Sequence, residues 1–397
     1  MQTSQQKKSP HHVYDYAIIG GGLSGLLVAS ALSKNTTNII LLEQADSFGG
    51  HNRSIQTPIG VTNNGIRTLP ASDLSLKTMP FLESLLNTQL QYDKIDQPPV
   101  TFESGVIKPF LGFGENPPPF YEDLAYFLNP QRLSLNLEPH EWIQLLFTNY
   151  SGEFAPRSYV TKFHGQDGQI QSVTVNGQKT IRALNFIYSG QVKNLQTLLP
   201  EDAFNSRSKQ KLSKSKYWTA ICLDLLHSRA LTESNSIHIL NGTTQDEVGP
   251  CAGLFQAPTL LNDNLVQFSQ WISFVDDQDA EESESIAISL KKIKRQIKRA
   301  YPEAFEQIKQ ERILIVPSIS GDGDLKLNSN QSLSTYPNFW VCNGTVHQQK
   351  NLLGTLLQAE LVCNALGCHP MGIQLQKNDL SSTQDSSLEQ QTQDLDV

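Results

Sequence analysis

Three glycines, Gly20, Gly22 and Gly25, follow the apolar run Tyr14-Asp-Tyr-Ala-Ile-Ile19, and a second apolar run, Ile39-Ile-Leu-Leu42, ends in the acid Glu43. Glycines at this spacing after a strand bring backbone N–H groups against a pyrophosphate. Gly20 permits the tight turn, Gly22 lets the backbone approach the phosphates, and Gly25 lets the next helix, expected over residues 26–34, pack closely on the strand. Leu23 and Ser24 lead into that helix, whose N-terminus then faces the anion. Glu43 lies 18 residues beyond Gly25, where the end of the second strand offers a carboxylate to ribose hydroxyls. Strand, glycines, helix, strand and acid in register make a dinucleotide-binding fingerprint. The plainer alternative is that the glycines serve packing alone.

The elements that position these residues extend further along the chain. Gln44-Ala-Asp-Ser-Phe-Gly49-Gly50-His51 places a glycine pair where a loop can lie close to a flat cofactor, which favours FAD over NAD. At this point the chain resembles the flavin amine oxidase superfamily, which includes phytoene desaturase-like enzymes and carries Glu-x(5)-Gly-Gly-Arg here. Glu43, Gly49 and Gly50 match, and His51 replaces the arginine. Near the other end, Phe339-Trp-Val-Cys-Asn343-Gly344 resembles the strand that delivers a Gly-Asp pair to the flavin ribityl chain. Leu353-Gly354-Thr355 resembles the start of the helix that follows it. Asn343-Gly344 stands where Gly-Asp is the pattern, so that carboxylate is missing. The resemblance further implies that Val160 sits near the adenine and that Ser189 ends a core strand beside the dinucleotide.

The same resemblance implies an α/β fold: a discontinuous Rossmann-type FAD-binding domain with a second, α+β substrate-binding domain. The FAD-binding pieces are expected at 13–75, 151–199 and 313–372, and the substrate domain at 76–150 and 200–312. Alternating strands around Gly165-Gln-Asp-Gly168 and the hairpin Asn176-Gly177 suit a small antiparallel sheet. Residues 1–12 and 373–397 are polar and without apolar periodicity, as disordered tails are. Glu281 to Tyr301 has helical apolar spacing with a basic outer face, and Pro302 follows as a stop.

For chemistry, Asn64-Gly65-Ile66-Arg67-Thr-Leu-Pro70 matches the position where amino-acid oxidases of the superfamily carry Gly-Ala-Met-Arg-x-Pro. The Arg67 fork suits a carboxylate or a phosphate. His347, before the last helix, and Lys326 are the two other candidates for contact with flavin or substrate. With non-covalent FAD, hydride passes from a C–H bond to flavin N5 and the protein supplies position and electrostatics. An amine, an amino acid or a related small molecule is the expected substrate. A flavin-dependent desaturase or isomerase, a non-redox mutase, and an inactive nucleotide-binding protein stay open beside it.

A formal net charge of −8 with no basic stripe argues against nucleic acid as a partner. No apolar run reaches the roughly 18 residues that span a bilayer, and Met1 to His12 lacks the apolar core of a signal peptide. The cytoplasm is therefore the expected location. The five cysteines are scattered singly, without disulfide or metal-ligand spacing.

Overall fold

The computed structural model describes residues 12–115, 117–118, 120, 124, 129, 131–241, 250–306, 308–321, 325–349 and 351–370. Apart from His12, the tails expected at 1–12 and 373–397 lie outside the described residues.

The first sheet contains β1 (Val13–Ile19), β2 (Ile39–Leu42), β10 (Glu153–Ala155), β11 (Val160–Gln166), β12 (Gln169–Val175), β13 (Lys179–Tyr188) and β20 (Phe339–Val341). Its order is β10-β2-β1-β13-β12-β11, with β20 also on β13. The long strand β13 does two jobs because its sequence has two halves. Its first half alternates buried and exposed residues and pairs antiparallel with β12. Its second half, Phe186-Ile-Tyr188, is buried on both faces and lies parallel between β1 and β20. Asn176 and Gly177, between β12 and β13, both have positive φ, as the tight hairpin turn requires.

Helix α1 (Leu23–Leu32) is apolar all round and buried all round. It is enclosed by the sheet and by α2 (Asp73–Leu86), α3 (Pro139–Asn149) and α7 (Asn351–Ala365), which share one core with it through Leu82, Leu85, Trp142, Ile143, Leu356 and Ala359. The opposite face is covered by the one-turn helix α4 (Leu195–Leu198), by α5 (Ser206–Lys214) and by the meander β11–β12.

The second sheet runs β19-β14-β18-β16-β15-β7-β8, with β17 also on β18. These strands are β7 (Val100–Glu103), β8 (Val106–Pro109), β14 (Tyr217–His227), β15 (His238–Leu240), β16 (Cys251–Phe255), β17 (Thr259–Leu261), β18 (Asn264–Asp276) and β19 (Ile308–Gly321). One face packs on α6 (Ser283–Ala300) through Ile221, Leu223, Trp271, Ile293 and Ile297. The other carries Ala220, Cys222, Ile272, Phe274 and Val316 and meets Ile66 and Phe120. A hairpin of β3 (Ser54–Thr57) and β4 (Gly60–Asn63) and a small sheet of β5 (Leu69–Pro70), β6 (Tyr92–Asp96) and β9 (Gln131–Leu135) complete the strands. No described helix is long and apolar enough to cross a membrane.

Three details differ from the sequence expectation. Helix α1 starts at Leu23, immediately after Gly22, so its first turn reaches the glycine motif itself. Helices α2 and α3, expected in the second domain, lie on the first sheet, because their apolar stripes complete the layer that α1 and α7 leave open. The expected boundary at 313 falls inside β19, which pairs along β14 from Ile308 to Gly321.

His227 and His238 are buried in the second sheet. His227 shares hydrogen bonds with the Ala304 carbonyl at 3.0 Å and with Ser269 Oγ at 2.8 Å, and His238 Nε2 with Tyr301 Oη at 2.6 Å. Burial pushes both imidazoles down from 6.5 to about 4. A base whose folded value is depressed contributes stability that is fully present above its unfolded value and is lost as pH falls towards the folded one. Urea-unfolding midpoints should therefore decline as pH drops from about 6.5 to about 4, and His227→Gln should flatten part of that decline. A midpoint constant across that window would contradict the assignment.

Candidate dinucleotide site

Four loops meet at the carboxyl end of the first sheet. Gly20, at φ 106°, turns the chain from β1 into α1. A methyl group on Gly25 would stand 2.0 Å from the Gly20 carbonyl oxygen, so only glycine lets the helix start this close to the strand. The second loop crosses above the first: Gly49 N–H donates to the Gly21 carbonyl at 2.7 Å, and a methyl on Gly50 would lie 3.1 Å from Gly22 Cα. Gly49-Gly50 is thus a close crossing of two backbones. The third loop follows β13, where Ser189 Oγ hydrogen-bonds to the Gly20 carbonyl at 2.8 Å. The fourth follows β20, where Asn343 Nδ2 donates to the Gly190 carbonyl at 2.7 Å.

Between these loops and the second sheet lies a cavity of about 460 Å³. Its sequence-expected lining residues are Gly20, Gly22, Leu23, Ser24, Glu43, Gly50, His51, Arg67, Val160, Ser189, Asn343, Gly344 and Thr355. Six other expected residues stand elsewhere, each for a packing reason. Gly25 and Gly49 support the loops from behind, against the Gly20 carbonyl and the Arg53 backbone. Leu353 is in the core under α7, and a methyl on Gly354 would stand 1.9 Å from the Gln349 carbonyl oxygen. His347 is not among the lining residues, and its Nδ1 accepts from Gln349 N–H at 2.9 Å. Lys326 is exposed, because its neighbours Leu325 and Leu327 turn into the core beside the first sheet.

Sequence reasoning did not anticipate the opposite wall. Ile272 and Phe274 of β18 and Ser318 and Ile319 of β19 face the dinucleotide loops, while Tyr159, Asn194 and Thr197 close the end near Val160. Alternation along β18 was a signal for this wall, since Phe268, Gln270, Ile272 and Phe274 must share one face. Nothing in the sequence said which face met the cavity.

The polar geometry is specific. Glu43 is buried and accepts from Gly21 N–H at 2.6 Å through Oε2 and from Ala45 N–H at 2.8 Å through Oε1. Each oxygen keeps a second lone pair for an outside donor. The first-turn N–H groups of α1 have no carbonyl one turn back and open towards the cavity. Arg67 donates to the carbonyls of Ile66 at 2.8 Å and His51 at 2.9 Å, which fixes its fork at the cavity edge. Surrounding protein, then the positive charges of Arg67 and Arg53, push His51 down to about 4. Asn343 Oδ1 accepts from Thr345 N–H at 2.9 Å and Thr345 Oγ–H at 2.8 Å, so this side chain ties loops together. A ring of residues thus presents backbone N–H donors, one buried acid and an apolar far wall to the cavity.

The comparisons agree with this architecture. The NAD(P)-binding Rossmann-like domain family matches residues 18–85. A 135-residue stretch is 29% identical to amine oxidase [flavin-containing] A of Equus caballus, covering 31% of this chain and 23% of that relative. The match therefore spans less than a quarter of the curated relative's length. Among solved structures, an oxidoreductase from Methanosarcina mazei is similar, with TM-score 0.63, 12% identity and coverage of 88% of this chain and 99% of that one. Wild-type putrescine oxidase bound to putrescine is similar with TM-score 0.59, 12% identity and coverage of 90% and 99%. The chain thus carries a Rossmann-like unit over residues 18–85 and shares its overall fold with these solved oxidoreductase structures.

Gly25→Ala tests the packing on which the site stands. The added methyl has no space beside the Gly20 carbonyl, so the variant should lose roughly 2 kcal/mol or more of stability in chemical denaturation. Unchanged stability would show that α1 can move away from β1 without penalty.

Proposed function

We propose that the protein is an FAD-dependent oxidoreductase that takes hydride from a small molecule, with an amine or amino acid as the leading substrate class. The observation that carries this reading is the single cavity in which the glycine turn, Glu43 and the start of α1 face an apolar wall of Ile272, Phe274 and Ile319. The dinucleotide's phosphates suit the N–H groups beside Gly22 and Leu23, and its adenosine ribose suits the free lone pairs of Glu43. Support for the reading also comes from the flavin-containing relative and the putrescine oxidase neighbour.

FAD, when bound, supplies N5 as the hydride acceptor. The chain's own residues would do the rest. Ile66, Ile272, Phe274 and Ile319 exclude water from the reacting face. Arg67, held by two backbone carbonyls, brings its positive charge to an anionic group at the cavity edge. Asn351 and Leu352, at the start of α7, bring a second helix N-terminus to the same cavity, which favours negative charge there.

A second reading, a nucleotide-binding protein without turnover, draws on Asn343. Its amide is already committed to Gly190 and Thr345, and the pair Asn343-Gly344 lacks the carboxylate of the superfamily's Gly-Asp pattern. The visible absorption spectrum of the purified protein separates the two. Bands near about 370 and 450 nm, released on denaturation as free FAD, are the expected result. Glu43→Gln should weaken FAD binding about tenfold, since one charge-assisted acceptor becomes neutral. A protein that stays colourless with added FAD would refute the oxidoreductase reading.

A further inference from the structure

Asp277 is a junction that dinucleotide binding leaves unexplained. It follows the last residue of β18, and its carboxylate receives four donors. Thr219 Oγ–H reaches Oδ1 at 2.5 Å, Ser318 N–H reaches Oδ1 at 3.0 Å, Ser318 Oγ–H reaches Oδ2, and Lys193 Nζ reaches Oδ2 at 2.6 Å. A carboxylate offers about four lone-pair sites, so the ionised group is saturated. Neither an amide nor a hydroxyl could accept all four.

The donors come from opposite sides of the cavity. Thr219 and Ser318 belong to the second sheet, and Ser318 has φ 49°, where the β14–β19 register shifts. Ser318 and its neighbour Ile319 line the cavity. Lys193 lies on the loop after β13, whose Ser189, Gly190, Gln191 and Asn194 line the facing wall. A second strap runs beside the first, from Gln191 Nε2 to the Pro317 carbonyl at 3.1 Å. The loop that Lys193 anchors is also the one that Ser189 ties to Gly20 and that Asn343 holds at Gly190.

We infer that Asp277 is a positioning residue: through Lys193 it sets the separation between the second sheet and the dinucleotide loops, and with it the affinity of the cavity for FAD. The affinity part rests on the proposed FAD reading; the strap between the walls does not. If Asp277 served only the second sheet, losing Thr219 or Lys193 would have the same kind of effect.

Three variants separate these roles, followed by FAD titration, by the thermal midpoint of FAD-free protein and by amide hydrogen exchange. Lys193→Met cuts the strap and leaves the second-sheet bonds. It should raise the Kd for FAD about three- to fivefold, as loss of a partly exposed ion pair does, leave the thermal midpoint unchanged, and speed exchange at the Asn194 amide, which donates to the Gln191 carbonyl within the loop that Lys193 anchors. Thr219→Val should lower the midpoint and leave the Kd alone. Asp277→Ala should do both. An unchanged Kd in Lys193→Met overturns the inference, and so does a Kd that follows the midpoint across all three variants. If wild-type protein takes up no FAD, the FAD reading fails by itself and the exchange data decide the strap. Faster exchange at Asn194 in Lys193→Met then upholds it, and unchanged exchange overturns it.

Discussion

The close contact of α1 with the end of β1, Gly25 against the Gly20 carbonyl, is the constraint on which the site depends. With the helix start held there, its N–H groups open into the cavity. The Gly49-Gly50 loop can then cross at Gly22, and Ser189 can reach the Gly20 carbonyl. Any side chain at Gly25 would lift α1 from the strand and move all of these contacts together. The apolar surround of α1 locks the arrangement, because a helix buried on every side has no free face along which to slide.

The second sheet presents two kinds of surface to the first. Nearest the dinucleotide loops it is apolar, through Ile272, Phe274 and Ile319. One step along the same face is a cross-strand row of Gln270, Asp224 and Arg312, paired in register. Arg312 forms an ion pair with Asp224, and Gln270 Nε2 donates to Asp224 Oδ1 at 3.3 Å and to the Asn63 carbonyl at 3.2 Å. Burial holds the Asp224 carboxyl above its ordinary value against the opposing pull of Arg312, Gln270 and Arg67. Such a row adds little net stability, since desolvation offsets the attraction. It does fix register, because a slip of β19 against β14 would strand Arg312 away from its only carboxylate partner in the row.

The local signals in the sequence were strong where one residue type has one physical use. Gly20, Gly22 and Gly25 between an apolar strand and an apolar helix, and Glu43 at the end of β2, are such cases; so is Asn176-Gly177, whose two positive φ angles few other pairs tolerate. Long-range placement was not legible. The apolar stripes of α2 and α3 fit either domain equally well as sequence, and only the space left beside α1 assigns them. Leu353, Gly354 and Lys326 misled for a related reason. Proximity in sequence to a binding loop does not say which way a helix or extended segment turns its side chains, and here the core claimed the leucines on either side of Lys326. Asp277 carried no signal at all, because its four donors come from three separate stretches of chain.

Strand β13 has a consequence for how the protein reaches its native state. It is flanked by β1 from the start of the chain and by β20 from near its end, with Tyr16 beside Asn185 and Phe186 beside Phe339. Pairings this distant close slowly, since the loop entropy is lost before the contacts form. During synthesis the apolar edge of Phe186-Ile-Tyr188 must wait, unpaired on one side, until Phe339-Trp-Val341 has left the ribosome. The nascent chain therefore displays a sticky strand edge while β14 to β19 of its second sheet are made, a period in which aggregation and chaperone capture compete with folding.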